Sequence, residues 1–105
     1  MTLYIVFSGR DEEIIHGYQD PDEMNTRCGT FEAVCSSEEA ARRKVEDLSR
    51  YIFYHEYSTC QPYWTKEEID GKTVDCMHVK KKFSGTYDEF NYDYFFYYIT
   101  AELED

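Results

Sequence analysis

Positive charge is missing from both flanks of this chain. Residues 11–23 and 84–105 contain no lysine or arginine, whereas each stretch holds six acidic residues. Residues 24–83 hold ten acidic and ten basic residues, so the net charge of -11 comes from the flanks. A field of one sign attracts partners of the opposite sign and repels polyanions. The composition therefore favours a basic protein partner and argues against direct nucleic-acid or membrane ligands.

Long hydrophobic runs are also lacking. The apolar stretch from Met1 to Phe7 is too short for the core of a secretion signal, and no basic residue precedes it. No stretch approaches the roughly 20 apolar residues of a membrane-spanning helix. We therefore expect a cytoplasmic protein.

The chain has little that resembles a metal site or a catalytic motif. Its four cysteines, Cys28, Cys35, Cys60 and Cys76, are widely spaced, and without a secretion signal we expect free thiols. No nucleophile elbow, phosphate loop or metal-binding histidine pair is present. We predict no enzyme, no catalytic or metal-ligating residues and no cofactor, with a small thiol-dependent or zinc-dependent protein as one alternative.

Aromatic residues are abundant, at 18% of the chain, and apolar residues reach 42%. This is too much apolar material for a disordered acidic tail. A length of 105 residues suits one domain with a modest core. We therefore predict a single domain over residues 1–105.

The N-terminal third predicts short strands separated by turns. Residues 3–8 are apolar on both faces, which is typical of a central strand. The sequence Ser-Gly-Arg-Asp at 8–11 predicts a turn, with residues 14–18 returning as a hairpin partner. Residues 19–29 have loop chemistry, and residues 31–35 predict a further short strand.

A helix follows, and its start is predicted by Ser36 and Glu39, which have capping-box spacing. Apolar residues then recur on one helical face, namely Ala41, Val45, Leu48 and Ile52, with His55 as a further candidate. The helix should end near Tyr57.

Residues 63–69 and 72–83 predict a hairpin, because Asp70-Gly71 suits a tight two-residue turn. A short helix beginning at Thr65 is the rival interpretation, because Glu68 gives a second capping-box spacing.

Residues 94–103 predict the last strand. Phe95, Tyr97 and Ile99 share one face, which we expect to pack on the helix. The fold predicted is α+β, a mainly antiparallel sheet of four to six strands with one long helix packed on it.

Acids and tyrosines cluster in the two flanks. Carboxylates can take the place of phosphates, and tyrosine rings can stack on arginine planes. The candidate partner-binding residues are Asp20, Asp22, Glu23, Tyr87, Asp88, Glu89, Tyr92 and Asp93. The alternative is that the acids only keep the protein soluble. The basic run at 80–82 suggests a guarded strand edge, or a segment that pairs with the acidic flanks.

The order of elements resembles small phage and mobile-element proteins. The resemblance rests on the opening Leu-Tyr-Ile-Val strand, on Phe31-Glu32-Ala33-Val34 running into a helix at 36–41, and on the closing strand at 97–104. Proteins of this kind include anti-CRISPR and anti-restriction inhibitors, whose acidic members mimic DNA. The resemblance implies the same role here, in the cytoplasm of an infected host cell if a phage encodes the chain.

These observations lead to one functional hypothesis and two alternatives. The first is an acidic, anti-CRISPR-like inhibitor that binds the basic nucleic-acid-binding surface of a host defence protein and blocks access of DNA or RNA. The second is a protein-interaction module or a homodimer that uses an aromatic sheet face formed by Tyr94, Phe96 and Tyr98. The third is the thiol-dependent or zinc-dependent protein.

Overall fold

Five antiparallel strands form a single sheet, and one helix packs against it, in the part of the chain that the structure describes. This computed structural model describes residues 1–16, 26–55, 61–84 and 89–103, with side chains described outside 12–29, 56–60, 82–90 and 104–105. The elements are β1 (Thr2–His16), β2 (Thr26–Cys35), α1 (Glu38–His55), β3 (Tyr63–Ile69), β4 (Lys72–Ser84) and β5 (Glu89–Glu102). The strand order is β2-β1-β5-β4-β3. The predicted α+β class is confirmed.

Strand β1 is much longer than predicted. The chain stays extended through residues 8–11, where the sequence predicted a turn, and residues 14–16 continue β1 instead of returning as a hairpin. Gly9 has a different purpose here: a Cβ atom at this position would lie 2.3 Å from Cζ of Phe95, its cross-strand partner. The glycine therefore allows an aromatic ring to cover the backbone. Of the predicted loop, residues 26–29 belong to β2, and 19–25 lie outside the described residues.

Helix α1 agrees with the prediction in position, although its cap is one residue later. The backbone N–H of Ala40 donates to Oγ of Ser37 at 3.1 Å, so Ser37 is the N-cap instead of Ser36. Ala41 and Val45 are fully buried against the sheet. Leu48 and Ile52 pack at the margin of the same cluster. His55 is exposed; Tyr57, where the helix was expected to end, lies outside the described residues.

The predicted hairpin between β3 and β4 is confirmed, and the rival helix is wrong. Asp70 and Gly71 have φ values of 51° and 77°, the left-handed conformation that a type I′ turn needs at both central residues. Ile69 and Lys72 then pair directly across the turn.

The face of β5 that packs on the helix is the opposite of the one predicted. Phe96 and Tyr98 are buried beneath α1 with Val6, Met77 and Val79. Phe95 and Tyr97 point to the other side and form a second cluster with Val74 and Cys76. The prediction failed because both faces of β5 are apolar, so alternation alone does not show which one meets the helix. We call the side beneath α1 the covered face and the other side the open face.

Three strands continue beyond the helix. The molecule measures 55 × 27 × 19 Å along its principal axes. Its core lies in the half where all five strands and α1 meet. In the other half, residues 10–16 of β1 pair with 89–94 of β5, which in turn pair with 79–84 of β4. We call this part the three-stranded extension.

Candidate interaction surface

The backbone register brings residues 11–16 of the first acidic flank beside residues 89–93 of the second. In the extension, Asp11 pairs with Asp93, Glu12 pairs with Tyr92 and His16 pairs with Glu89. These pairs join the start of the first flank to the start of the second through neighbouring antiparallel strands. Two segments about 80 residues apart in sequence thus lie side by side at one end of the sheet.

Strand β1 carries the acids at an edge of this end. The pairing of β2 with β1 ends at Arg10, so residues 11–16 form an outer strand among the strands that the structure describes. Three consecutive acidic residues, Asp11, Glu12 and Glu13, occupy this edge. An edge strand that carries charge is protected from pairing with other sheets and is accessible to a partner of opposite charge.

The basic run of β4 lies on the other side of β5. Lys80 pairs with Asp93, Lys81 with Tyr92 and Lys82 with Asn91. Opposite charges on neighbouring strands stabilise a sheet. Only Lys80 lies opposite an acid, and the pairing of β3 with β4 ends at His78, so residues 79–84 form an outer strand among the described strands. This arrangement favours the guarded strand edge, with Lys80 also placed beside the acidic flank.

The structure describes three of the eight candidate residues, one of them by its backbone alone. Asp20, Asp22, Glu23, Tyr87 and Asp88 lie outside the described residues. Glu89 occupies a strand position opposite His16 and Ser84, and its side chain is outside the described set. Tyr92 and Asp93 are described, and as consecutive strand residues they lie on opposite faces.

Asp93 forms an ion pair within the protein. Its two carboxylate oxygens accept hydrogen bonds from Nδ1 of His78 at 2.9 and 3.1 Å. Nε2 of the same ring donates to Oε1 of Glu67 at 2.9 Å. That oxygen also accepts from the hydroxyl of Thr65 at 2.9 Å. His78 is thus held between two acids on the open face, and Asp93 positions the histidine instead of facing a partner alone.

These contacts change the protonation of His78. Asp93 is the largest cause and the Cys76 side chain is the next, and together they raise the pKa of His78 from 6.5 to about 11 despite the opposing effect of burial. The imidazole is therefore a cation at neutral pH, when both ring nitrogens can donate. The ring of Tyr63 stacks on it, with centroids 5.6 Å apart.

Tyr92 is also engaged within the protein. The guanidinium carbon of Arg10 lies 4.9 Å from the centroid of the Tyr92 ring. This is a cation–π contact on the covered side of the extension. The Tyr92 ring, predicted to stack on an arginine of a partner, thus already contacts an arginine of its own chain.

A second polar network fixes α1 to the sheet. Arg42 donates to Asp75 at 2.9 Å and to the Tyr98 hydroxyl at 3.2 Å, and its guanidinium lies 4.1 Å from the Trp64 ring centroid. Lys66 reaches the second oxygen of Asp75 at 2.9 Å. Lys66 first, and then Arg42, hold the pKa of Asp75 below its usual value. The contacts are all internal, so the network serves the fold.

The described residues show no metal site. No group of three or more His, Cys, Asp or Glu in this part of the chain has positions suited to holding a metal ion. Cys35 and Cys76 are free thiols, whereas the side chains of Cys28 and Cys60 lie outside the described set. No helix among the described residues has the length and apolar character needed to cross a membrane.

Sequence reasoning did not identify the His78 cluster. The signal was present: Val74, Cys76 and His78 share one face of a strand, and a histidine on an apolar strand face needs buried polar partners. What the sequence could not show was the register that brings Asp93 to this histidine.

Comparisons of the chain with protein-family models, with curated proteins and with solved structures found no match.

Proposed function

We propose that this protein is a non-enzymatic inhibitor that binds the basic nucleic-acid-binding surface of a host defence protein and blocks access of DNA or RNA. One observation supports the proposal above the others. The backbone pairing of β1 with β5 places acids from both lysine-free flanks along one end of the sheet. The described strands of this end carry five acids and four bases, because Arg10 and the lysines at 80–82 belong to the same three strands. The acidic edge of β1, on the side of the extension away from those lysines, is therefore the part that would attract a basic groove and compete with phosphates for its cations.

We place the proposed contact surface on the described acids of this end, and the candidates outside the described residues stay a prediction. Because Asp93 is paired with His78, we assign contact with the partner to the acids at the edge of β1 and to Glu89 at the start of β5, in preference to Asp93. Asp93 supports these contact residues by holding His78 of β4 against β5. Glu12 and Glu89 are the central contact residues of the proposal. The protein would act in the cytoplasm of the host cell.

The test measures DNA cleavage by a panel of purified CRISPR effector nucleases and restriction endonucleases as the protein is added. The charge variant is Glu12→Lys with Glu89→Lys. Its matched control is Asp47→Lys with Glu68→Lys, two exposed acids on α1 and β3. Each pair changes the net charge by the same amount, so only the position of the charge differs.

We expect the wild type and the control to inhibit at least one nuclease. The Glu12 and Glu89 variant should need a protein concentration at least ten times higher for the same inhibition. Inhibition should weaken between 50 and 200 mM salt, as it does for competitors of nucleic acid. Equal inhibition by the two variants, or no inhibition across the panel, contradicts the proposal. Thermal unfolding of each variant shows that the domain is intact.

A further inference from the structure

The open face has an apolar half that no described helix covers. Among the large hydrophobic side chains of the described residues, Phe31 is 59% exposed and Val34 is 53% exposed. Phe31 lies against Phe7, with ring centroids 6.4 Å apart, and Val34 pairs with Ile5. At the neighbouring strand ends, Leu103 is 52% exposed.

This surface carries no acidic or basic side chain. Strand alternation places the following residues on it: Leu3, Ile5, Phe7, Phe31, Val34, Tyr97, Ile99 and Ala101, with Tyr97 the only polar-tipped member. A bulge in β2 preserves this character, because the register shifts between Val6 and Phe7 and Glu32 turns to bond the Ser8 hydroxyl at 2.7 Å. We call this set the apolar patch.

The surface area of the chain is large for its mass. Its accessible surface is 7242 Å², whereas a compact monomer of this mass exposes about 6200 Å². The excess of about 1000 Å² is of the same order as the roughly 800 Å² that each partner buries in a protein–protein interface of standard size. The elongated three-stranded extension also contributes to this excess.

We propose that the apolar patch is a dimer interface between two copies of this chain, packed sheet against sheet. The chemistry of the patch selects this partner. A basic groove would need acids here, and a nucleic acid would need lysine or arginine, but the patch has neither. A flat apolar surface is complementary to itself, and two-fold packing of identical faces closes after two copies.

Face packing is favoured over edge pairing. The outer edge of β2 is interrupted by the bulge at Glu32, and a bulge impairs pairing with a further strand. Two aligned sheets packed about 10 Å apart bury inner-face side chains and need no free strand edge. The dimer leaves both acidic ends available, so it is independent of the inhibitory role proposed above.

The test is sedimentation equilibrium of the full chain from 1 to 500 µM, at 50 and 500 mM NaCl. The interface variant is Phe31→Ser with Val34→Ser. The control is Tyr51→Ser with Tyr54→Ser, which are 59% and 67% exposed on α1. All four side chains are well exposed, so each variant should keep the monomer fold.

We expect a dimer whose dissociation constant falls at high salt, because salt screens repulsion between two chains of net charge -11. The Phe31 and Val34 variant should raise that constant at least tenfold, and the control should leave it within twofold. A wild type that stays monomeric at 500 µM in both salts overturns the proposal and assigns the patch to another protein. Equal weakening by both variants also overturns it. High salt weakens the binding of a basic partner, whereas it strengthens the dimer. A failure of one proposal can therefore be distinguished from a failure of the other.

Discussion

The covered and open faces of this sheet are both apolar, but they exclude water in different ways. On the covered face, Val6 and Val79 are fully buried because α1 lies over them. On the open face, Phe95 and Tyr97 reach 4% and 5% exposure by lying against their own neighbours. Their rings are stacked 18° from parallel, and Phe95 covers Gly9. A sheet face can therefore exclude water beneath an added layer of structure or through contacts among its own aromatic rings.

The polar residues on the two faces differ in the same way. Arg42 joins the covered face to the helix. His78 joins two acids within the open face. The covered face thus takes a polar partner from the helix, whereas His78, Glu67 and Asp93 on the open face pair with one another.

The largest expected effect comes from the covered face. Phe96→Ala removes a ring that is 4% exposed beneath α1, and we expect a loss of about 3–5 kcal/mol in the free energy of unfolding. Phe31→Ala on the open face removes a ring that is 59% exposed and should cost less than about 0.5 kcal/mol in the monomer. Urea denaturation at low protein concentration measures both. Similar losses for the two would show that burial beneath α1 does not determine the cost of losing a ring.

The next effect tests the contacts of His78 with Glu67 and Asp93 on the open face, which we call the clamp. His78→Phe keeps a ring for stacking on Tyr63 but leaves Glu67 and Asp93 without their shared cation. We expect a loss of about 2–3 kcal/mol at pH 7, below the usual cost of breaking a buried pair because both carboxylates are partly exposed. His55→Phe, at an exposed histidine stacked on Tyr51, is the control and should change stability little.

The pH dependence of this effect has a definite sign. The pKa of His78 is about 11 in the folded protein and 6.5 in the unfolded chain. Because the folded value is raised, the clamp contributes fully below pH 6.5 and its contribution is lost as pH rises towards 11. His78→Phe should therefore lose less stability than the wild type between pH 7 and 10. Parallel pH profiles for the two proteins would show that His78 does not hold its proton.

The smallest effect concerns Gly9. Gly9→Ala forces the Phe95 ring away from the backbone, and we expect a cost of about 1–2 kcal/mol. In a Phe95→Leu background the added methyl group has room, so most of this cost should disappear. Additive costs in the double variant would mean that the glycine is needed for some other reason.

Local signals in the sequence identified much of this fold. The helix and the hairpin at Asp70-Gly71 were predicted because caps, apolar periodicity and turn residues act over a few residues. The prediction of a turn at residues 8–11 was wrong because Gly9 is needed for the close approach of the Phe95 ring, and Phe95 is distant in sequence. The orientation of β5 was wrong because its two faces are equally apolar.

The candidate site was less predictable, for a related reason. The sequence showed that both flanks are acidic, but only the pairing of β1 with β5 shows that residues 11–16 and 89–93 are neighbours. Asp93 was chosen for its charge, and its engagement with His78 depends on a cross-strand geometry that no local pattern encodes.

The clamped histidine makes folding a proton-binding reaction. At pH 8 the unfolded chain carries this imidazole almost entirely neutral, whereas the folded chain carries it as a cation. Each molecule therefore takes up close to one proton from the solvent as it folds. Counting that proton, the formal charge of the native domain is -10 instead of the -11 that the sequence gives.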